Sequence, residues 1–116
     1  MNNRHRISAS ARKMLLTLVL SFTATGIALA AQESSIFTYD GHDFVRAQTT
    51  LTTEDGKSAV NTKLDHKSPA YKALVKKHSY TGQATVFGQK CDANYAPLTN
   101  ASGKLTGAVF VAICNK

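Results

Sequence analysis

SPAYKALVKKHSYTGQATVFGQKCDANYAPLTNASGKLTGAVFVAIC, residues 68–114, changes its hydrophobic period partway along, and that change decides the fold. Ser68-Pro69 suits a helix start, with serine as N-cap and proline at the first helical position, where its missing N–H costs nothing. Ala70, Tyr71, Leu74, Val75 and His78 then recur at spacings of three and four, which predicts a short helix from 69 to 78 with one apolar stripe. From Tyr80 onward the pattern is β-type. Three segments, Tyr80 to Phe87, Cys91 to Leu98 and Lys104 to Cys114, are separated by turn signals at Gly88-Gln89-Lys90 and Asn100-Ala101-Ser102-Gly103. A helix of about ten residues is too short to stand alone and must pack on the sheet these segments form.

Upstream, Ile36 to Tyr39 is β-prone and runs into the turn Asp40-Gly41-His42-Asp43, after which Phe44 to Leu51 is again rich in β-branched and aromatic residues. The pair reads as a hairpin. Glu54-Asp55-Gly56-Lys57 is a further turn, and residues 58–67 hold no sustained period, so they read as a loop crossing from sheet to helix. The order is therefore strand-strand-helix-strand-strand-strand: an α+β domain in which a crossover helix covers one face of a five-stranded antiparallel sheet, similar to the PAS-like arrangement. A hairpin reversing at residues 100–103 also sets Cys91 and Cys114 opposite each other within one bulge of perfect register. They are the only two cysteines, and they lack the Cys-x-x-Cys spacing of zinc or redox motifs. A structural disulfide is the expectation.

The first thirty residues differ in kind. Arg4, Arg6, Arg12 and Lys13 precede an uncharged run from Met14 to Ala31, and Ala28-Leu29-Ala30 has the small residues a signal peptidase accepts. Residues 1–30 thus read as a signal peptide cut after Ala30, leaving one domain at 31–116. The alternative is an uncleaved anchor, since the run approaches the roughly 20 residues that span a bilayer. Ser21, Thr23, Thr25 and Gly26 dilute that run, and no later stretch is apolar enough to cross a membrane, so no stable anchor is expected after cleavage. Export also places the cysteines where disulfides persist, in the periplasm or outside the cell.

Removing the leader takes away four of the fourteen basic residues and none of the seven acids, so the net charge falls from +7 to +3. The case for nucleic acid goes with it. The remaining lysines are spread out as a solvated face, or as a weak attraction for an anionic small molecule or acidic surface.

No catalytic constellation appears. His42, His66 and His78 lie on a turn, a loop and a helix end, so a shared metal would need their convergence, and none is expected. Asp40 and Asp43 flank a turn and read as turn formers. There is no phosphate-cradling glycine loop, no Gly-x-Ser-x-Gly and no His-Glu-x-x-His, and neither an enzyme nor a cofactor is implied. A binding pocket fits better: Arg46, Tyr71, Tyr80 and Tyr95 can converge between helix and sheet, where a guanidinium and tyrosine hydroxyls suit a carboxylate. The same residues also fit a plain reading, the tyrosines as core with a wet tip, Tyr71 above all, and Arg46 on the surface.

Asp43-Phe44-Val45-Arg46, Gly56-Lys57-Ser58-Ala59-Val60, Thr62-x-Leu64-Asp65 and Pro69-Ala70-Tyr71 follow one another in that order. Tyr80-Thr81-Gly82-Gln83-Ala84, Tyr95-Ala96-Pro97-Leu98, Gly103-Lys104-Leu105-Thr106-Gly107 and Val109-Phe110-Val111 continue them. In order and spacing, the stretch from Ile36 to Ile113 resembles the sensor region of bacterial Cache domains of the Cache 3/Cache 2 fusion type, found in methyl-accepting chemotaxis receptors and sensor kinases. The resemblance implies a PAS-like extracytoplasmic fold that binds small molecules, often organic acids, over the central sheet. Such domains usually begin with a long helix packed along the sheet and continue into a second membrane helix and a signalling module. Here only Ala31 to Ser35 precede the first expected strand, and the chain stops at Lys116, so no transmembrane signalling by this chain alone is expected. The function expected is a stand-alone exported sensor or binding module for a small metabolite, with organic acids the class the resemblance suggests. The alternative is a protein-interaction or accessory module with a vestigial pocket, and a bare sheet face leaves a second copy or a membrane receptor as a possible partner.

Overall fold

The computed structural model describes residues 30–115, and the segment read as a leader lies outside the described residues except for Ala30. The strands are β1 (Ala30–Tyr39), β2 (Phe44–Thr49), β3 (Tyr80–Val86), β4 (Gln89–Thr99) and β5 (Leu105–Asn115), with one helix, α1 (Pro69–Leu74), between β2 and β3. They form a five-stranded antiparallel sheet in the order β2-β1-β5-β4-β3. This is the PAS-like α+β architecture expected from the element order. The crossover from β2 to β3 has to traverse the sheet from one edge to the other, and in doing so it roofs one face.

The roofed face carries the core. Phe37 of β1, Phe44 of β2, Tyr95 of β4 and Phe110 of β5 are buried there beneath Leu51, Ala59, Leu64, Ala70 and Leu74 of the crossover. Alternation along β5 sorts the two faces: Ala108, Phe110, Ala112 and Cys114 are buried, whereas Val111 and Ile113 between them are exposed.

The structure departs from the sequence reading at several places. β1 starts at Ala30 rather than Ile36, because Ala31 to Ser35, which lack β propensity of their own, are recruited by pairing from Ala31↔Cys114 to Ser35↔Phe110. α1 stops at Leu74 rather than at 78. Lys77 takes a left-handed φ of 63°, and the amides of Lys77 and His78 donate to the carbonyls of Leu74 and Ala73, a Schellman-type closure. Val75 and His78 therefore leave the apolar stripe for the surface.

The turn between β3 and β4 is Phe87-Gly88, both at positive φ, as a two-residue type I′ hairpin requires, and not Gly88 to Lys90. Residues 58–67 are more than a loop: the amides of Arg46 and Leu64 donate to Thr62 and Phe44, and that of Asn61 to Arg46, so residues 61–64 line the free edge of β2. A lone strand edge is thereby covered.

Cys91 and Cys114 are directly opposite on β4 and β5 and form a disulfide. The bulge that brings them into register lies between Leu98 and Thr99, close to the hairpin tip.

Candidate functional site

Between the crossover and the β2, β3 and β4 strands lies a cavity of about 380 Å³. β2 delivers Arg46, β3 Tyr80, β4 Tyr95 and the turn after β3 Phe87, while Lys63 and Leu64 of the crossover form the opposite wall. Three of the four residues expected to form a pocket therefore meet in one place. Tyr71 is elsewhere: its ring packs edge-on against Phe44 and stacks on His66, and its hydroxyl donates to the His42 carbonyl at 2.6 Å. Burial, with the charges of the nearby aspartates and of Tyr39, raises its pKa.

Arg46 is 3% exposed, not a surface residue. Its guanidinium lies between the rings of Phe37, 4.8 Å away, and Phe87, 5.0 Å away, a double cation–π sandwich. Nη1 donates to Thr62 Oγ1 at 3.1 Å, and Nε is buried with no hydrogen-bond partner. The ion pairs among the described residues leave Arg46 out. Burial lowers its pKa from the ordinary arginine value, with the Tyr95 phenol acting in the opposite direction. A buried cation with no carboxylate beside it is an unbalanced charge in the folded chain.

Tyr95 is likewise almost fully buried, its pKa pushed up to about 12 by desolvation against the opposing pull of Arg46. Tyr80 turns its hydroxyl back onto its own strand, donating to the Gln83 carbonyl at 2.7 Å, and its ring is 6.2 Å from that of Tyr95.

The sequence assigns no place in the site to Lys63 or Phe87, and both line it. By sequence Lys63 belongs with the solvated lysines, and only its place beside β2, in bridge to Val45, brings it to the cavity wall. By sequence Phe87 is the end of a strand. It is a bulky residue held at a left-handed φ of 48°, an uncommon conformation that sets its ring over Arg46.

A second cluster lies near the turn between β1 and β2. His42, Asp43 and His66 come together, with His66 Nε2 2.7 Å from Asp43 Oδ1, while His78 lies outside the group. Lys63 reaches the other Asp43 oxygen at 3.3 Å, and the hydrogen bond from His66 is the main cause of a lowered Asp43 pKa.

Sheet order, crossover and roofed cavity define a PAS-like α+β domain. The chain belongs to the Cache 3/Cache 2 fusion domain family, whose model matches residues 21–116. The match enters the segment read as a leader and extends beyond the Ile36 to Ile113 stretch that carried the resemblance. Domains of this family are extracytoplasmic small-molecule sensors rather than catalysts, and the disulfide is in keeping with an exported protein. No curated protein and no solved structure matches the chain. Among the described residues, no helix is long and apolar enough to cross a membrane.

Proposed function

We propose that this protein is exported, loses its leader after Ala30, and binds a small organic anion in the cavity beneath the crossover. The observation that carries this reading is the Arg46 guanidinium: buried, stacked between two rings, with Nε unpartnered and no carboxylate of the described residues beside it. A ligand carboxylate supplies the missing charge and acceptor, and Arg suits it because its planar fork can hold two oxygens at once. Lys63, paired with Asp43, lies on the cavity wall beside Asp65, Tyr95 supplies a hydroxyl, and Tyr80, whose own hydroxyl is engaged by the Gln83 carbonyl, supplies aromatic surface. Cleavage after Ala30 leaves the pairing of β1 with β5 intact from Ala31↔Cys114 onward.

A thermal-shift screen of small carboxylates tests the ligand. A saturating acid at 100 times Kd should stabilise by about 2.7 kcal/mol. Arg46→Lys, which keeps the charge but loses the fork, should remove most of that response. Because the arginine is packed between Phe37 and Phe87, Arg46→Ala should also lower the unliganded melting temperature, through lost packing as well as lost charge. An undiminished response in Arg46→Lys would sink the proposal. Intact mass of the exported protein tests the cut: a mass that retains residues 1–30 favours the anchor reading.

One observation favours the interaction module as a second reading. The face of the sheet away from the crossover exposes Ile36, Leu98, Val111 and Ile113, an apolar strip suited to a protein partner.

A further inference from the structure

His42 and Asp43 sit side by side on the β1–β2 turn, and His66 reaches them from the crossover, 23 residues beyond Asp43. One donor atom from each lies within 4.8 Å of the others. We infer that these three side chains form a binding site for a divalent transition metal of the zinc class, separate from the anion cavity.

The donor set makes the selection. Two imidazoles and one carboxylate match the borderline ions, whereas calcium and magnesium require shells of oxygen. Lys63 occupies Asp43 Oδ2, leaving Oδ1 as the single carboxylate donor. Tetrahedral coordination at about 2.0 Å needs donors about 3.3 Å apart. Asp43 and His66, now hydrogen-bonded at 2.7 Å, have to part slightly, and His42, exposed on the turn, has to swing inward. Both movements are side-chain rotations. A fourth position is left for water, as in open zinc sites.

The surroundings already hold the donors in place. Asp40 Oδ1 accepts from the amides of His42 and Asp43 at 2.9 and 2.7 Å, and Gly41 supplies the positive φ that lets the turn close. Tyr71 stacks on the His66 ring at 4.1 Å and 19° and bonds the His42 carbonyl, so one side chain fixes both histidine-bearing segments. The rings of His42 and His66 already lie 4.6 Å apart, centroid to centroid. Metal here clips the hairpin turn to the crossover, next to Lys63, Leu64 and Asp65 of the cavity wall.

Titration calorimetry of Zn²⁺ into the untagged, chelator-stripped exported protein tests the site, with Co²⁺ visible absorption as the signature of nitrogen and oxygen coordination. The expected result is one ion per chain, a melting temperature that rises with zinc, and no response to Mg²⁺. His42→Ala, His66→Ala and Asp43→Asn should each weaken zinc by at least about tenfold, while His78→Ala leaves it unchanged. His42 is exposed, so its variant keeps the fold, checked by an unaltered melting temperature in chelator. No saturable zinc binding, or undiminished affinity in either His42→Ala or His66→Ala, overturns the site. Neither outcome bears on the carboxylate screen, whose anchor is Arg46.

Discussion

Gly107 lies opposite Thr38 where β5 runs against β1, and a Cβ built on it falls well inside contact distance of the Phe37 carbonyl oxygen. That oxygen is backbone near the end of the β1–β5 ladder, in a strand paired on both sides, Phe37 facing Ala108 of β5 and Arg46 of β2, so it cannot shift without the strands parting. Gly107→Ala should therefore destabilise the domain by about 2 kcal/mol or more, read from urea unfolding, because overpacking against a fixed backbone is not relieved by rotamer change. A loss below about 0.5 kcal/mol would show that the strands can separate locally. Tyr95 offers a test at the same scale, by pH. Its folded-state pKa of about 12 stands above the ordinary tyrosine value of 10, so its contribution is fully present below pH 10 and is lost as the pH rises towards 12. A shift of that size corresponds to about 2 to 3 kcal/mol. Tyr95→Phe should escape this alkaline loss, and parallel stability curves for the two proteins between pH 9 and 12 would contradict the buried phenol.

β4 and β5 are tied by the Cys91–Cys114 bond, which closes a loop of sequence separation 23 around the terminal hairpin. In the chain-entropy model such a closure stabilises by roughly 3 kcal/mol, so the Cys91→Ala/Cys114→Ala variant should lose about that much. Two native cysteines titratable in the unfolded, unreduced protein would contradict the bond itself. The disulfide also shows how the sequence was legible: strand periods and one turn were enough to place two residues opposite each other, because register in an antiparallel hairpin follows from the reversal. β1 was half legible. Ile36 to Tyr39 carry β propensity, but Ala31 to Ser35 become strand only because β5 lies beside them, a cause that no local pattern contains. The same holds for the site. Arg46, Tyr80 and Tyr95 could be named because their residue types and strand positions suit a pocket, whereas Lys63 and the meeting of His42 with His66 depend on where the crossover docks. Tyr71, expected in the pocket, instead braces the β1–β2 turn.

For the whole molecule, the asymmetry of the two sheet faces is the unresolved force. The crossover covers one face, and the central strands turn Gln32, Ser34, Ile36 and Thr38 of β1, Val109, Val111 and Ile113 of β5, and Asp92, Asn94, Ala96 and Leu98 of β4 toward the other. Ile36, Leu98, Val111 and Ile113 are each 40 to 48% exposed there. Apolar patches beyond a few hundred Å² are uncommon on monomers, so this strip calls for a cover. Because β5 is the middle strand, a two-fold axis near Val111 lays the strip on its own copy, and two-fold dimers need only one self-complementary surface. We therefore predict that this protein dimerises through this face. Light scattering across micromolar concentrations should report a dimer, and Val111→Asp should shift it to monomer. Asp at that site points outward, so the folded core is left untouched. A monomer at every concentration that binds no hydrophobic dye would mean that something else within the chain covers the strip, and a monomer that does bind the dye would point to a different protein partner. Either result rules out the two-fold dimer.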